Sequence, residues 1–371
     1  MKVGIPSEVK NHEYRVACTP SGVHELVRHG HQVVVQVGAG IGSSIPDADF
    51  VAAGATMIES ADEVWGQAEL VLKVKEPVAE EYHRLRKDLV LFTYLHLAAS
   101  RPCTEALVSS GTTAIAYETV QLPDGSLPLL APMSEVAGRM APLAGAHHLQ
   151  RFGGGRGILM GGVSGVYAAK VVVIGAGVSG MNAAAIALGM QAEVLLMDKN
   201  IGRLREADRI YQGHCQTIAS NTYEIERACH DADLVIGAVL VPGAKAPTLV
   251  SDDMVSRMKP GSVLVDIAID QGGCFESSRP TTHADPVYEV EGSLFYCVAN
   301  MPGAVPHTST YALTNVTLPY AIEIADRGWR NALRADPVLA PGLNTTEGQV
   351  TSTPVAEAHG LESVSLASVL A

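Results

Sequence analysis

Residues 171–180 read VVVIGAGVSG, in which an apolar run leads directly into the pattern GxGxxG. The apolar run predicts a buried strand at Lys170–Ile174, and helical spacing follows over Met181–Leu188. A second strand is predicted at Glu193–Met197, and it ends on Asp198. A strand, a glycine loop, a helix, a strand and an acid in this order are typical of a dinucleotide-binding βαβ unit, whereas GxGxxG alone is a weak signal.

Each part of this unit has a physical task. Gly175 allows the tight turn, Gly177 lets a pyrophosphate approach bare backbone, and Gly180 lets the helix pack closely on the strand. The free N–H groups and the dipole at the helix N-terminus favour phosphate. Asp198 is placed to accept hydrogen bonds from the adenosine ribose, and its charge repels a 2′-phosphate. The segment therefore predicts bound NAD rather than NADP, the alternative being a glycine turn without a ligand.

A similar run at residues 38–43, GAGIGS, also follows a predicted strand. Here Ser43 replaces the third glycine, and Pro46 follows closely. No strand-ending acid comes at the required distance, so we expect an ordinary turn rather than a second nucleotide site.

Short apolar strands alternate with helical patterns over most of the chain, which is typical of βαβ units and a mainly parallel sheet. In the first half, the predicted strands are Val3–Ile5, His31–Val37, Ala55–Ile58, Leu70–Val74, Leu89–Tyr94 and Thr113–Tyr117. In the second half, they are Lys170–Ile174, Glu193–Met197, Gln216–Ala219, Leu234–Val239, Ser262–Ile269 and Ser293–Val298. Six strands in the second half suffice for a complete doubly wound domain.

The domain organisation follows from this alternation and from a glycine-rich stretch at residues 153–162. Beyond the second half the pattern predicts helices, among them Ser309–Arg327, and no further strand. We therefore expect an α/β fold in which a Rossmann doubly wound NAD-binding domain, residues 133–303, is inserted into a discontinuous α/β catalytic domain, residues 1–132 and 304–371.

Composition sets aside several classes of protein. The chain has 371 residues, 47% of them hydrophobic, which suffices for a buried core in two domains or three small ones. Its net charge of −13 gives no general attraction to nucleic acid or anionic lipid. No apolar run approaches the length of a membrane span, and no signal peptide is visible. Six cysteines without a CxxC pair or metal-ligand spacing predict no metal site and indicate a reducing, cytoplasmic setting.

Candidate chemistry lies at the carboxyl ends of the predicted strands, where open α/β sheets bind their ligands. Arg15 follows the first strand and either clamps a carboxylate or is a surface arginine. Lys75 stands two residues after Lys73, and the two either face a ligand together or line a solvated edge. His96 is either a titratable base or a structural histidine, and Asp270 is either close to a ligand or a turn former. Together they suit the oxidation of a small amino or hydroxy acid beside a nicotinamide.

Six longer runs carry a resemblance to a known family. They are GIPSEVK at 4–10, EYRVA at 13–17, KVKEP at 73–77, YLH at 94–96, APMSEVAG at 131–138 and DIAIDQGG at 266–273. On these runs, in this order, the chain resembles the alanine dehydrogenase family, which includes NAD(P) transhydrogenase, over nearly its whole length. Only the segment from about Thr345 onwards lacks such a run.

The resemblance implies the oxidative deamination of L-alanine with NAD⁺ and water to pyruvate, ammonium and NADH. It implies that Arg15 and Lys75 hold the carboxylate and carbonyl side of the substrate. It further implies that His96 is the general acid–base and that Asp270 handles water and ammonia at the imine carbon. A histidine suits these proton transfers near neutral pH. A homohexamer is also implied.

The resemblance also implies a set of cofactor-binding positions, to which the glycine loop contributes Gly175, Gly177 and Gly180. The others are Ser134, Val178, Asp198, Arg203, Ser220, Val239, Leu240, Ile267, Ala268, Ile269, Asp270, Arg279, Val298, Ala299, Asn300 and Met301. How strictly alanine is preferred over serine or 2-aminobutyrate stays open, because one methylene or hydroxyl changes binding by only ~1–3 kcal/mol.

Three other functions compete with this interpretation. A transhydrogenase-like NAD(H)-binding module shares the architecture but has no small-acid substrate. A saccharopine-type dehydrogenase takes a larger substrate and should need a different clamp, and a non-enzymatic NAD-binding protein needs none. The joint presence of Arg15, Lys75, His96 and Asp270 favours alanine dehydrogenase.

Overall fold

The chain forms two compact units in the computed structural model, which describes residues 1–239 and 246–371. Unit one consists of Met1–Met133 and Val305–Ala371, and unit two of Ser134–Ala304. Each unit is built on its own largely parallel sheet. The predicted fold class, a doubly wound domain inserted into a discontinuous α/β domain, is confirmed.

The elements of the described residues follow in chain order. The first part of unit one contains β1 (Lys2–Ile5), α1 (Pro20–Arg28), β2 (Gln32–Gln36), α2 (Asp47–Ala52), β3 (Thr56–Ile58), α3 (Ala61–Gln67), β4 (Leu70–Leu72), β5 (Val90–Thr93), α4 (Arg101–Ser110) and β6 (Thr113–Ala116). Then come α5 (Ala131–Leu149), β7 (Lys170–Ile174), α6 (Val178–Gly189), β8 (Glu193–Asp198), α7 (Ile201–Tyr211), β9 (Gln216–Ala219), α8 (Thr222–Asp231), β10 (Leu234–Gly237), α9 (Asp252–Ser256), β11 (Val263–Asp266), β12 (Val287–Val290) and β13 (Ser293–Tyr296). Unit one resumes with α10 (Pro306–Arg327), α11 (Trp329–Ala335), β14 (Leu343–Thr346), β15 (Gln349–Val350), α12 (Thr353–His359) and α13 (Leu366–Leu370).

The sheet of unit one, all of whose residues are described, has eight strands in the order β15-β14-β6-β5-β4-β1-β2-β3. Strands β1 to β6 are mutually parallel, and β14 joins β6 in the antiparallel sense. The chain winds outward in one direction from β1 and then in the other from β4. The gap between the ends of β1 and β4 is therefore the topological switch point, where such sheets bind ligands.

The described part of unit two has the sheet order β12-β13-β11-β10-β7-β8-β9, in which only β12 is antiparallel. Its switch point lies between β7 and β10. Val171 and Val173 of β7 pack into one core cluster, whereas Val172 and Ile174 pack into another on the opposite face. The run VVVI is apolar throughout because helices cover both faces of this sheet.

Local signals explain most element boundaries. Helix α1 begins after Thr19, whose hydroxyl accepts a hydrogen bond from Gly22 N at 3.3 Å, and Pro20 occupies its first turn. The run at residues 38–43 is a turn, as expected. The Ser43 hydroxyl there is buried and donates to the Tyr14 carbonyl at 3.0 Å.

Two expectations about strands were wrong. The predicted strand Ser262–Ile269 ends at Asp266, because that carboxylate accepts the Ala268 and Cys274 N–H groups and turns the chain into a 3₁₀ helix at Ile267–Gln271. Strands also occur after residue 303, namely β14 and β15. Strand β14 reads Leu-Asn-Thr-Thr and is buried although it lacks apolar periodicity, because its hydroxyl groups are hydrogen-bonded inside the sheet.

Among the helices of residues 1–239 and 246–371, none combines the length and the apolar character that a membrane span requires.

Candidate active site

Arg15 lies on the loop after β1 and is only 2% exposed, so it is not a surface arginine. Its Nε and Nη2 donate to the two carboxylate oxygens of Glu13 at 2.6 and 2.5 Å, and its Nη1 donates to Met133 Sδ at 2.9 Å. Burial alone would raise the pKa of Glu13, but the hydrogen bonds and charge of Arg15, with the Lys75 ammonium, hold that pKa below its usual value. The guanidinium therefore has a fixed orientation.

Lys73 is fully buried and has a structural role. Its Nζ donates to Glu8 Oε2 at 3.1 Å and to Glu81 Oε1 at 3.0 Å. Burial would lower the pKa of Lys73, but these two carboxylates raise it above its usual value. Glu8 also accepts the backbone N–H groups of Val74 at 2.6 Å and Lys75 at 3.4 Å. The triad thus ties the segment after β4 to the loop after β1.

Lys75 has different surroundings, although it is only two residues away and 9% exposed. Its backbone is held at both ends, since its N–H donates to Glu8 and its carbonyl accepts the Thr93 hydroxyl at 3.0 Å. Its ammonium has neither a hydrogen-bond acceptor nor a carboxylate ion pair among residues 1–239 and 246–371. A largely buried cation without a bonded anion suits the binding of an anionic ligand.

His96 follows β5 and adopts the left-handed backbone conformation, with φ 47° and ψ 40°. Its ring stacks on that of Tyr94, with the centroids 5.9 Å apart and the planes 8° from parallel. The ring is partly exposed, and its Nδ1 lies 4.0 Å from Glu118 Oε1. A histidine locked inside the core is thereby excluded.

The structure brings Arg15, Lys75 and His96 together at the carboxyl edge of the unit-one sheet. The charges of Arg15 and Lys75 both act on the Glu13 carboxylate. The charge of Arg15 also acts on Tyr94, whose ring stacks on that of His96. It opposes the rise in the Tyr94 pKa that burial causes. The Tyr94 hydroxyl donates to the Leu129 carbonyl at 2.6 Å, which fixes the position of the ring. Two cations and an imidazole therefore lie at the same edge of one sheet.

The glycine loop of unit two has the geometry that a dinucleotide requires. Gly175 has a φ of +107°, and a Cβ on Gly180 would lie 1.7 Å from the Gly175 carbonyl, so both positions require glycine. A Cβ on Gly177 would meet no atom within 4 Å, and its φ of −80° is open to any residue. The fold itself therefore does not require glycine at position 177. A pyrophosphate at the N-terminus of α6 does require it, because a side chain there would occupy the space of the phosphates. The loop therefore fits NAD.

Asp198 ends β8 beside this loop and is 9% exposed. One of its oxygens accepts the Ala176 N–H and the other accepts the Asn200 N–H, each at 2.7 Å. The guanidinium of Arg203 lies 3.6 Å away, and the Ser220 N–H donates to the Asp198 backbone carbonyl at 2.9 Å. The carboxylate is thus held in place beside the glycine loop, and its contact with the ribose stays a prediction.

The remaining predicted cofactor positions belong to unit two, and most follow the carboxyl ends of its strands. Val178 starts α6, and Ser134 lies on α5. Val239 follows β10; Ile267, Ala268 and Ile269 follow β11; and Val298, Ala299, Asn300 and Met301 follow β13. The Arg279 guanidinium lies over the Tyr288 ring, 3.9 Å from its centroid. Leu240 lies outside the described residues.

Asp270 also belongs to unit two and is exposed on the 3₁₀ turn after β11. The turn is built on the buried Asp266, which accepts the Ser278 hydroxyl at 2.5 Å and two backbone N–H groups. Burial raises the pKa of Asp266 in spite of these hydrogen bonds. Asp266 thus shapes the turn that presents Asp270.

Sequence reasoning missed the carboxylates that organise the site, Glu8, Glu13 and Glu118. Two of them left a signal, because Glu8 stands in the run GIPSEVK at 4–10 and Glu13 stands with Arg15 in the run EYRVA at 13–17. Glu118 left none, since it lies in no run that carries the family resemblance.

The comparisons with known proteins agree with this geometry. Residues 4–137 match the family model "Alanine dehydrogenase/PNT, N-terminal domain", and residues 141–353 match "Alanine dehydrogenase/PNT, C-terminal domain". An alanine dehydrogenase of Mycobacterium tuberculosis is 64% identical over 371 residues, covering 100% of both chains.

Two solved structures extend the comparison. An L-alanine dehydrogenase superposes with a TM-score of 0.94 at 50% identity, covering 97% of this chain and 99% of the other. A transhydrogenase from Sinorhizobium meliloti superposes with a TM-score of 0.80 at 27% identity, covering 95% and 99%. With its whole length matched in sequence and fold, the chain belongs to the alanine dehydrogenase/PNT family.

Proposed function

We propose that the protein is an NAD-dependent L-alanine dehydrogenase. It converts L-alanine, NAD⁺ and water reversibly into pyruvate, ammonium, NADH and a proton. The observation that carries this proposal is the largely buried Lys75 ammonium, at the carboxyl edge of the unit-one sheet that also carries Arg15 and His96. A purely NAD(H)-binding module does not need these two buried cations, whereas binding of a 2-amino or 2-oxo acid does.

The two cations bind the anionic end of the substrate. Arg15 holds the carboxylate, because a guanidinium offers planar, charge-assisted hydrogen bonds. Lys75 holds the carbonyl side. Its positive charge stabilises negative charge on the substrate oxygen, and this makes the carbon bonded to that oxygen more electron-poor. We assign this binding to the domain of residues 1–132 and 304–371.

His96 and Asp270 move the protons. In the oxidative direction His96 removes a proton from the substrate ammonium, so that the neutral amine can support loss of a hydride from Cα. Water then adds to the iminium carbon, and the carbinolamine collapses to pyruvate and ammonia. Asp270 orients that water and receives its proton, and each group returns its proton in the reverse direction.

NAD⁺, when bound, supplies the acceptor for the hydride that leaves Cα. We assign its binding to residues 133–303, with Gly175, Gly177 and Gly180 under the pyrophosphate and Asp198 at the adenosine ribose. The other contacts in this proposal are Ser134, Val178, Arg203, Ser220, Val239, Leu240, Ile267, Ala268, Ile269, Asp270, Arg279, Val298, Ala299, Asn300 and Met301.

A cytoplasmic homohexamer completes the proposal. The resemblance to alanine dehydrogenases supports the hexamer. The cytoplasm is supported by the six cysteines, which are all buried, free thiols. Light scattering on the purified protein measures the number of subunits directly.

The decisive experiment is NADH oxidation by pyruvate with and without ammonium. Strict dependence on ammonium is expected, with alanine as the product by chromatography. Oxidation without ammonium would indicate a lactate-type enzyme. NADH oxidation that instead requires a second nucleotide in place of pyruvate and ammonium would support the transhydrogenase-like alternative.

A further inference from the structure

The backbone at His96 adopts a conformation that a residue with a side chain rarely takes. Its φ of 47° and ψ of 40° lie in the left-handed region, which favours glycine. Such strained positions persist only where neighbouring groups hold them, and they are concentrated at functional sites. Something in unit one must therefore hold the segment after β5 in this shape.

Glu118 is the group that holds it. Both of its carboxylate oxygens accept the Leu95 N–H at 3.2 Å, and Oε1 also accepts the His96 N–H at 2.6 Å. Two consecutive amides at the end of β5 thus bond to one carboxylate. Glu118 lies on the 3₁₀ turn that follows β6, the parallel neighbour of β5. The two strand ends are adjacent, so the contact follows directly from the sheet order.

The same carboxylate faces the imidazole. Glu118 Oε1 lies 4.0 Å from His96 Nδ1, and the Glu118 side chain is only 13% exposed. Other titratable groups near this segment include Tyr94, which stacks on the ring, Arg15, whose charge acts on Tyr94, and His359 of α12, whose Nε2 lies 2.7 Å from the Leu97 carbonyl. Lys75 also belongs to this edge of the sheet, since its carbonyl accepts the Thr93 hydroxyl of β5. Glu118 is therefore the negative charge nearest to the ring in the part of the chain that the structure describes.

We propose that Glu118 is a positioning residue for His96. It fixes the left-handed backbone that aims the imidazole. This inference rests on the proposed function, in which His96 exchanges a proton with substrate. Glu118 itself touches no substrate in this account and acts only through His96.

The test is the Glu118→Gln variant, which keeps the size of the side chain and removes its charge. We expect kcat for pyruvate amination to fall about 10- to 100-fold, because the neutral amide holds the two N–H groups less firmly than the carboxylate does. This loss does not exceed the 10²–10⁴-fold that acid–base catalysis contributes as a whole, since His96 itself is retained. KM for pyruvate and the dissociation constant of NADH should change less than about threefold, since Arg15, Lys75 and unit two are untouched.

Glu105→Gln is the matched control, since Glu105 is an exposed carboxylate of α4 paired with Arg101 at 2.7 Å. It should leave both kcat and KM unchanged. A Glu118→Gln variant whose kcat is unchanged, or whose KM for pyruvate changes as much as its kcat, would overturn the proposal. Absence of ammonium-dependent activity in the unsubstituted enzyme would instead overturn the proposed function.

If the Glu118→Gln variant does not fold, hydrogen exchange on the unsubstituted enzyme tests the proposal instead. The amides of Leu95 and His96 should exchange slowly although they lie outside the strand, because Glu118 accepts both of them. Exchange as fast as that of the exposed turn at residues 123–126 would overturn the proposal.

Discussion

Lys73 and Lys75 illustrate how strongly position within a few ångströms determines the role of a residue. Strand alternation predicts that both side chains share one face, but β4 ends at Leu72, and beyond it the alternation no longer applies. Lys73 is committed to Glu8 and Glu81, whereas the Lys75 ammonium has no such ion pair in the described chain. Neither a shared ligand face nor a solvated edge describes the pair.

Lys75→Met is expected to lower kcat/KM for pyruvate by about 10- to 150-fold, corresponding to the 1.5–3 kcal/mol of a hydrogen bond to a charged group. The affinity for NADH should not change, because Lys75 lies in unit one. Steady-state kinetics and NADH fluorescence titration measure the two quantities. Lys87→Met replaces an exposed lysine of the same unit and serves as control. A parallel loss of NADH affinity would contradict the assignment.

The residues proposed to touch ligand could be chosen from the sequence because their chemistry demands particular side chains at strand ends. The carboxylates that hold them were not. Glu13, Glu118 and Asp266 act through hydrogen bonds to backbone or to a neighbouring side chain, and such contacts depend on which loops the fold brings together. A single sequence does not show that pairing unless the partners lie close together in the chain, as Glu13 and Arg15 do.

At the scale of elements, the turn between β7 and α6 separates two kinds of glycine. Gly180→Ala is expected to lower the melting temperature, because its Cβ would overlap the Gly175 carbonyl. Gly177→Ala should melt normally and yet bind NADH about tenfold or more weakly, because its methyl group would occupy only the space of the pyrophosphate. Calorimetry and fluorescence titration separate the two effects.

Gly189→Ala is the control for both variants, since a Cβ there meets no atom and the site ends the same helix. It should be neutral or raise the free energy of unfolding by up to about 1 kcal/mol. Equal NADH affinity of Gly177→Ala and the unsubstituted protein would remove the main support for a pyrophosphate at this loop.

Element prediction succeeded where the hydrophobic pattern and the environment agreed. The run VVVI is buried on both faces and is predicted to the residue. Element prediction failed where the buried side chains of a strand are polar. Strand β14 places Asn344, Thr345 and Thr346 inside the protein, and their hydrogen bonds replace the apolar contacts that a pattern search detects.

At the scale of the whole molecule, β14 joins the two chain segments of unit one in a single sheet. It lies in the segment Val305–Ala371 and pairs with β6 of the segment Met1–Met133. The Thr346 and Thr113 hydroxyls pair at 2.9 Å between β14 and β6, and both side chains are buried. Thr346→Val is expected to cost about 1–3 kcal/mol of unfolding free energy, because the Thr113 hydroxyl is left without its partner. Urea denaturation measures this loss.

The double variant Thr113→Val/Thr346→Val is the matched control, because it removes both hydroxyls together. It should regain part of the stability that the single variant loses. A single variant as stable as the unsubstituted protein would show that the hydroxyl pair contributes nothing to closing the sheet.

The closing of the unit-one sheet also has a consequence for the order of events during synthesis on the ribosome. Thr113 and Thr346 are 233 residues apart, and all of unit two is translated between them. At a translation rate of about 5–20 residues per second, β14 is synthesised on the order of 10–50 s after β6. Unit two can complete its own sheet in that time, while the edge of β6 remains an unpaired strand available to other nascent chains. The nested arrangement thus makes the first unit to emerge the last to be finished.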